Sequence, residues 1–529
     1  MEIRAASATL GGEIQIRLGP PNGEIIGSCF VPNTGGWQSW STFTAKIKPV
    51  SGTNTISLVF RSTAIVNRGE APLWFGRVDE TNTTIWAEFK GVDPRTKSVE
   101  VNARQTVFYP DKPGVNYITV SGFIMRHAAT PWAPPTAEQP GLIGTHWSKG
   151  WVIESNIVSH SRCVGIALGK HGDEFDNTSA NSAEGYVKTI ERAHAHAIPW
   201  TRDNIGHHVV RGNTISHCEQ AGVVGSLGAA FSSITGNVIH DIHVRTLFTG
   251  AEMAGIKIHA AIDCDISANR IFRTCRGLWM DWMAQGTRLS RNLCYENTRE
   301  DLFMEVNHGP FLVDNNVFLS QIGLLDMSEG GACAHNLWTG EIVSAEELNR
   351  ETPYHPPHST KVAGLSSIKG GDNRFFDNVF VGAGPEPDKA PAKADRHRRA
   401  AGHGTWMYDM RQRPSQMAGN LYLNGARPAK DEKNAFIATD VDPRIRLIEE
   451  GGSAFLQLSV GPEWSKPPTV LVTSEVLGKA AVPNAPYVRA DDSPLKIDAD
   501  YRQKIRDARA PTPGPFENPG EGEVKLKVW

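Results

Sequence analysis

The chain has few of the features that mark metal sites, disulfide frameworks or membrane spans. Its 529 residues include seven cysteines, and no two of them form a CxxC pair, so neither a zinc site nor a disulfide-rich scaffold is expected. No run of eighteen apolar residues occurs, which predicts that no helix crosses a membrane. The opening segment, MEIRAASATLGGEIQIRLG, lacks the apolar core of a signal peptide. The compartment stays open: cytoplasmic as written, extracellular if the true N-terminus lies upstream.

The chain also lacks an excess of either positive or negative charge. The 54 basic and 57 acidic residues leave a formal net charge of −3, which gives no reason to expect nucleic acid or a membrane surface as a partner. No GxGxxG, Walker or GxSxG motif stands in the context that it needs. We therefore expect no cofactor, and we look for a function that needs only side chains.

An asparagine followed by a short apolar strand recurs along the chain. Asn213 and Asn237 lie 24 residues apart, and Asn269 and Asn292 lie 23 apart. The whole set is Asn156, Asn213, Asn237, Asn269, Asn292, Asn316, Asn336, Asn378 and Asn420. A period of about 20–25 residues predicts a solenoid. The L-x-x-L-x-L frame of leucine-rich repeats is missing, so the pattern favours a mainly β fold, a right-handed parallel β-helix.

A second strand in each coil follows the pattern Gly-apolar-x-apolar-x. It reads GIKIH at 255–259, GLWMD at 277–281 and DLFME at 301–305. Because side chains alternate across a strand, the second and fourth positions form a core stripe, and the third and fifth positions point outward. This alignment predicts two exposed columns on one face, listed from coil to coil: Lys257, Trp279 and Phe303, and beside them His259, Asp281 and Glu305.

Asp281 and Glu305 are separated by one coil, so they are predicted neighbours on adjacent parallel strands, about 4.8 Å apart along the sheet. Retaining glycosidases need two carboxyl groups about 5–5.5 Å apart, whereas inverting enzymes need about 6.5–9.5 Å. The spacing therefore predicts a retaining mechanism. Exposed carboxylates are usually solvated surface, but the neighbouring Trp279 and Phe303 are typical of a sugar subsite.

Other residues give weaker signals. Glu252 precedes the GIKIH strand, and His308 follows Glu305 at a turn. The HPPH cluster at 355–358 has no acidic or cysteine partners at metal spacing, so no metal site is expected. Inserted segments at 127–151, 170–205 and 340–372 are candidate pocket walls.

Long runs of residues 70–500 resemble glycoside hydrolase family 120, the β-xylosidases with a parallel β-helix core. They include FTGAEMAGIKIHAAID (248–263), RGLWMDWMAQGTRLSRN (276–292) and DLFMEVNHGPFLVDNN (301–316). The resemblance implies that Asp281 is the nucleophile, Glu305 is the acid/base and Glu252 belongs to the substrate site. It also implies xylo-oligosaccharides as the substrate. The two catalytic positions agree with the pair predicted from the coil register. Lys257, His259, Trp279 and His308 complete the candidate substrate-binding set.

The first segment departs from that family. Residues 10–62 resemble the later half of a family 6 carbohydrate-binding module, with Trp37 and Trp40 in the motif that helps to form its sugar cleft. We predict three parts: a partial β-sandwich at 1–65, the β-helix at 66–430 and a C-terminal cap and tail at 431–529, which would close the open end of the solenoid.

Three functional hypotheses remain. The leading one is a retaining, exo-acting β-xylosidase that cleaves xylobiose and short xylo-oligosaccharides. The second is a polysaccharide lyase with Lys257 as its base, or another β-helix glycosidase, by analogy of fold alone. The third is a non-catalytic carbohydrate-binding scaffold. Side activity on arabinosides and assembly into a homo-oligomer stay open.

Overall fold

The computed structural model describes residues 1–5, 12–34, 41–62, 74–176, 183–246, 252–384 and 399–529. Contacts divide the chain into two compact units, Met1–Glu100 and Val101–Trp529. The predicted boundaries near residues 65 and 430 stay predictions. Trp37 and Trp40 lie outside the described residues. None of the helices in the described part has the length and apolarity that crossing a lipid bilayer requires.

The first unit is built from short antiparallel strands. Four of them form one sheet in the order Lys46–Ile47, Ile25–Val31, Gly12–Leu18 and Ile56–Ser62. Glu2–Ala5 pairs with Ser41–Thr44, and Trp74–Val78 pairs with Thr83–Ala87. Alternate residues of the central strands enter a small core, whose members are Ile3, Ile14, Ile16, Ile26, Cys29, Val31 and Ala45. These small sheets fit the expected partial sandwich.

The second unit is a parallel β-helix with three long sheets, which confirms the predicted fold class. Sheet A holds Ile124–Ala128, Ile157–Ser161, Thr214–Ser216, Val238–His240, Arg270–Phe272, Leu293–Tyr295, Val317–Phe318, Leu337–Trp338, Val379–Val381, Leu421–Leu423 and Phe436–Ala438. Sheet B holds Ile143–Gly144, Val164–Leu168, Ala221–Gly225, Ala254–His259, Leu278–Asp281, Glu300–Glu305, Ile322–Met327, Glu341–Ser344 and Ala400–Gly402. Sheet C holds Thr119–Ser121, Val152–Glu154, Val209–Arg211, Ser233–Thr235, Asp265–Ser267, Arg288–Ser290, Phe311–Asp314, Gly331–Ala334, Arg374–Phe376 and Gln416–Ala418.

The recurring asparagines form a continuous buried ladder. The side chain of Asn292 donates to the carbonyl of Ile266 (2.9 Å) and to Oδ1 of Asn316 (3.0 Å). Its own Oδ1 accepts from the backbone and side-chain nitrogens of Asn269, at 3.1 and 3.0 Å. The same pattern runs from Asn156 to Asn420. Each asparagine thereby satisfies buried backbone groups at the turn of its coil, and it locks the register of neighbouring coils.

Segments inserted between coils carry the remaining elements. An α-helix spans Ala183–Ala195, and a hairpin pairs Glu347–Tyr354 with Gly364–Ile368. A short helix covers Ser474–Leu477, and single 3-10 turns lie at Pro94–Thr96, Leu227–Ala229, Trp406–Met410 and Pro462–Ser465. Tyr186, Ile190 and Ala193 of the first helix are buried at positions i, i+4 and i+7, which is the apolar stripe of an amphipathic helix.

The C-terminal segment packs along the sides of the solenoid. Its three-stranded sheet, Arg446–Glu450, Ser453–Val460 and Gly522–Lys527, lays Leu456 and Leu458 on the outer residues of sheet A. Leu477 and Tyr487, near the small pair Lys479–Ala480 and Ala485–Pro486, pack on the outer residues of sheet C. The segment was predicted to close the end of the β-helix. It packs along the sides instead, because sheets A and C present apolar side chains outward.

Replacing one ladder asparagine tests the role of the ladder. Asn292→Ala leaves buried backbone groups of Asn269 and Ile266 without partners, so we expect the free energy of unfolding to fall by about 3 kcal/mol. Urea denaturation followed by circular dichroism measures the change. Asn349→Ala, at an exposed position, serves as the control and should change stability by less than about 0.5 kcal/mol. Equal stability of both variants would contradict a structural ladder.

Candidate active site

Three adjacent strands of sheet B end with the predicted polar residues in register. His259 pairs with Asp281, and Asp281 pairs with Glu305, as Cα partners in parallel strands. Lys257, Trp279 and Phe303 pair in the same way two residues earlier in each strand. Neighbouring parallel strands lie about 4.8 Å apart. The coil repeat therefore brings the two carboxylates side by side, as the spacing in the sequence predicts.

The chain turns sharply after each of these strands. Ala260, Trp282 and Val306 have φ values of 52°, 28° and 51°, in the left-handed region that non-glycine residues rarely adopt. The side chain of Asn307 joins two of the turns, because it accepts from the backbone N–H of Ala284 (2.7 Å) and donates to the carbonyl of Met280 (3.0 Å). These contacts fix the ends of the strands that carry Asp281 and Glu305.

The carboxylate of Asp281 has one occupied and one free oxygen. Its Oδ2 lies 3.0 Å from the ammonium of Lys257 and 2.9 Å from Nε2 of His259. Its Oδ1 has no hydrogen-bond partner among the described residues. The side chain of Asp281 is 6% exposed. One oxygen is thus held by Lys257 and His259, while the other is buried without a hydrogen-bond partner.

Glu252 completes the cationic centre from the segment that precedes the His259 strand. Its carboxylate forms a close ion pair with Lys257, whose ammonium also lies 2.7 Å from Nε2 of His259. Glu252 itself has a φ of 78°, and the residue is buried. A glutamate in this strained conformation persists only where its surroundings hold it, here through the ion pair with Lys257.

Glu305 is held by a different pair of donors. Nε1 of Trp279 donates to Oε2 at 3.0 Å, and Nη2 of Arg350 donates to Oε1 at 2.9 Å. The side chain of Glu305 is 16% exposed and that of Arg350 is 23% exposed. Solvent therefore reaches the acid pair from the side of Glu305 and Arg350, above the more deeply buried Asp281.

The surroundings drive the two carboxyl groups toward opposite protonation states. Burial raises the pKa of Asp281, but the charges and hydrogen bonds of His259 and Lys257 outweigh burial and hold the pKa below its ordinary value. Burial, and then the negative charge of Asp281, raise the pKa of Glu305 to about 7, against a smaller lowering by Arg350. Asp281 is therefore driven toward the ionised form, and Glu305 keeps its proton at pH values below about 7.

The cations of the site are stabilised by these same carboxylates. Burial lowers the pKa of Lys257, but the negative charges of Glu252 and Asp281 outweigh it and raise the pKa above its ordinary value. Burial likewise lowers the pKa of His259, and Asp281 reverses that effect and raises it. These carboxylates therefore favour the ammonium form of Lys257 over the neutral amine that a catalytic base needs.

Glu252, His259 and Asp281 also form a group whose ligand atoms lie within 4.8 Å of one another, close enough to hold a metal ion. The ammonium of Lys257 already lies among these three side chains and supplies a positive charge there. In the described part of the chain, Lys257 thus engages one oxygen of Glu252 and one oxygen of Asp281.

The outward columns of sheet B are covered, although the alternation pattern predicted exposed side chains. Lys257, Trp279 and Phe303 are 0%, 5% and 5% exposed. The inserted helix accounts for part of the cover, because the ring of Tyr186 stacks on Trp282 (4.0 Å between centroids) and on His259 (5.4 Å). Alternation shows which way a side chain points, but it does not show what lies above it.

His308 lies in a supporting position. Its Nδ1 contacts Glu329 at 3.0 Å, and its Nε2 contacts Oγ1 of Thr352 at 2.9 Å and the carbonyl of Ser366 at 3.1 Å. The ring is 2% exposed. Both nitrogens are therefore occupied by protein groups, and His308 ties the inserted hairpin to the turn that follows Glu305.

Sequence reasoning missed Tyr186, Trp282 and Arg350. Tyr186 and Arg350 lie in the insertions at 170–205 and 340–372, which were predicted only as possible walls. Trp147, from the insertion at 127–151, lies in the same buried cluster as Tyr186 and Ile190 of the helix. Trp282 follows Asp281 directly, so adjacency was a signal that could have found it.

Comparisons with known proteins agree with this architecture. A family model described as carbohydrate binding module (family 6) matches residues 1–70, and one described as right handed beta helix region matches residues 187–337. Arabinoxylan arabinofuranohydrolases are similar over 68 residues: 32% identical for the protein of Bacillus subtilis (strain 168) and 34% for that of Paenibacillus polymyxa. Each match covers 13% of this chain and only 13% or 11% of the relative, so it concerns one segment.

The chain is therefore a β-helix protein whose first residues match a carbohydrate-binding module. A solved structure of XylC in complex with xylose is similar over 87% of this chain and 74% of that chain, with a TM-score of 0.80 and 38% sequence identity. The chain belongs to the family of XylC, glycoside hydrolase family 120.

Removing the central cation tests the electrostatics of the site. Lys257→Met leaves the buried carboxylates of Glu252 and Asp281 without their shared ammonium, so we expect the free energy of unfolding to fall by about 3–5 kcal/mol. Chemical denaturation at neutral pH measures it, with Lys361→Met, at an exposed position, as the control. Adding Glu252→Gln to Lys257→Met should recover part of the loss. A single variant as stable as the parent would contradict this account.

Proposed function

We propose that this chain is a retaining, exo-acting β-xylosidase that hydrolyses xylobiose and short xylo-oligosaccharides. The observation that carries the proposal is the in-register pair Asp281 and Glu305, with the pKa of one lowered and that of the other raised. A nucleophile must be ionised and a general acid must hold a proton, and this pair meets both requirements near neutral pH.

In the first step, Asp281 attacks the anomeric carbon of the terminal sugar. Its Oδ1 is the attacking atom, because Oδ2 is engaged by Lys257 and His259. The bond from the anomeric carbon to the glycosidic oxygen breaks, and Glu305 gives its proton to that oxygen as it leaves. The products of the step are the shortened oligosaccharide and a xylosyl ester of Asp281.

In the second step, Glu305 acts as a base. Its carboxylate takes a proton from a water molecule, the water oxygen attacks the anomeric carbon, and the ester bond to Asp281 breaks. Two displacements at one carbon restore its original configuration. Asp281 leaves as the ion that Lys257 and His259 stabilise, and Glu305 is again protonated.

Substrate recognition is assigned to the groups that surround the pair. Glu252 and His259 supply a charged acceptor and a donor for sugar hydroxyl groups beside Asp281, and Lys257 holds both in place. Trp279 orients Glu305. The walls formed by the inserted helix and hairpin favour a closed pocket and hence removal of terminal sugars. Xylose as the sugar rests on the likeness to XylC, whose structure was solved with xylose.

The other hypotheses fit the contacts less well. A lyase base at Lys257 would need a neutral amine, whereas its carboxylate neighbours favour the ammonium. A non-catalytic scaffold would not need carboxyl groups of opposite protonation. The N-terminal unit, whose residues 1–70 match the model of a family 6 carbohydrate binding module, is proposed as a carbohydrate-binding accessory to the hydrolase.

Proton NMR during hydrolysis of xylobiose tests the reaction and its stereochemistry together. We expect the β-anomer of xylose to appear first, because retention follows from adjacent carboxylates. Asp281→Asn, which keeps the shape of the side chain and removes its charge, should lose at least about 10³-fold in kcat. Initial release of the α-anomer would contradict the retaining mechanism, and full activity of Asp281→Asn would remove it as the nucleophile.

The pH dependence of kcat/KM reports the pKa values of the catalytic groups in the free protein. With an acid whose pKa is about 7, kcat/KM for xylobiose should fall as the pH rises through 7, because Glu305 loses its proton. Asp281 should cause no loss on the acid side until the pH is below the ordinary aspartate pKa of 3.8. Glu305→Gln should lack the alkaline loss and should retain more activity on aryl xylosides with good leaving groups. A wild-type profile that stays flat to pH 9 would contradict the acid role of Glu305.

A further inference from the structure

Arg350 is the cation that makes a direct hydrogen bond to Glu305. Its Nη2 lies 2.9 Å from Oε1, while the indole of Trp279 occupies Oε2 at 3.0 Å. Each carboxyl oxygen has a second lone pair, so Glu305 can carry a proton without breaking either contact. Arg350 therefore keeps its hydrogen bond to Glu305 whether Glu305 is protonated or ionised.

The hairpin that carries Arg350 is anchored to the turn after Glu305. Oγ1 of Thr352 donates to the carbonyl of Val306 at 3.0 Å, and His308 contacts both Thr352 and the carbonyl of Ser366 on the opposite strand of the hairpin. The guanidinium also lies over the ring of Trp282, 5.1 Å from its centroid. These contacts hold the guanidinium of Arg350 beside Glu305, although Arg350 belongs to a hairpin inserted between coils.

The other charged and titratable groups that face Glu305 come from three elements. Asp281 lies on the adjacent strand, and its negative charge opposes ionisation of Glu305. Lys257 lies one strand further and contacts Glu252 and Asp281 directly. Tyr186 approaches from the inserted helix, and burial raises its pKa well above the ordinary value, so it stays neutral. On the other side, Glu305 pairs with the apolar Met327.

We propose that Arg350 is a positioning residue that allows Glu305 to act as an acid in the first half of the reaction and as a base in the second. The inference rests on the proposed function. Before attack, the charge of Asp281 keeps the proton on Glu305 despite Arg350. After Asp281 becomes a neutral ester, that repulsion is gone, and the guanidinium at 2.9 Å favours the carboxylate that must accept a proton from water.

A titration of Glu305 that needs no turnover is the first test. The protein is labelled with ¹³C at glutamate carboxyl carbons, and the Glu305 signal is assigned by its absence in Glu305→Gln. Arg350→Met, which keeps an unbranched side chain but removes the charge, should move the midpoint upward by about one to three pH units. Arg350→Lys should stay near wild type. An unchanged midpoint in Arg350→Met would overturn the proposal.

Kinetics then test the role in the second step. An aryl xyloside with a good leaving group needs little help from an acid in the first step, so we expect release from Asp281 to limit kcat. We expect kcat of Arg350→Met to fall at least tenfold at pH 5 and to recover as the pH is raised, with Arg350→Lys restoring the wild-type profile. A loss that is equal at every pH, in both variants, would mean that Arg350 only supports the fold, and would overturn the proposal.

The two proposals fail in different ways. If the wild-type chain turns over no xyloside, the proposed function fails, and the half-reaction role of Arg350 fails with it, whatever the carboxyl titration shows. If the wild-type chain is active and retaining, but the titration midpoint of Glu305 is the same in wild type and in Arg350→Met, only the inference about Arg350 fails. Thermal unfolding of all variants shows whether Arg350→Met is folded. If it is not, Arg350→Gln, which also removes the charge, takes its place in both tests.

Discussion

The register between neighbouring strands of sheet B is the constraint on which the site depends. Because each coil adds one strand at the same height, residues at equivalent coil positions become neighbours, and His259, Asp281 and Glu305 form one row. A slip of one residue would turn the carboxylates into the solenoid core. The buried asparagine ladder opposes such a slip in every coil, since each side chain bonds backbone groups of its neighbours. The repeat is thus both the framework and the source of the catalytic spacing.

Register alone gives two similar carboxylates, and their surroundings make them different. Asp281 has His259 and Lys257 on one side, whereas Glu305 has Arg350 and the indole of Trp279. Two nearby carboxylates in a buried site cannot both ionise easily, so a proton remains on the one with weaker cationic support. The cations that stabilise Asp281 thereby also assign the proton to Glu305.

Periodicity was enough to predict the solenoid, the row of polar residues and the adjacency of Asp281 and Glu305, because these depend on spacing within one repeat. Periodicity could not place Tyr186 or Arg350, because both arrive on insertions of unrelated length whose positions depend on distant contacts such as those of His308 with Thr352 and Ser366. Alternation also could not show that Trp279 and Phe303 pack on each other in a buried cluster with Leu325 and Met327, or that Lys257 lies among Glu252, Asp281 and Trp279. His308 was predicted to bind substrate, but its ring contacts Thr352 and Ser366 of the inserted hairpin. Periodicity did not predict that hairpin.

Covalent trapping tests the central claim most directly. A 2-deoxy-2-fluoro-xylosyl fluoride forms the ester quickly, and its fluorine slows hydrolysis, so the nucleophile keeps its label. Peptide mass spectrometry of the digested protein should find the added sugar on the peptide that contains Asp281, and Asp281→Asn should take up none. Label on Glu305 or Glu252 would contradict the assignment of the pair. Absence of any label, with early release of the α-anomer from xylobiose, would contradict a retaining mechanism at this site.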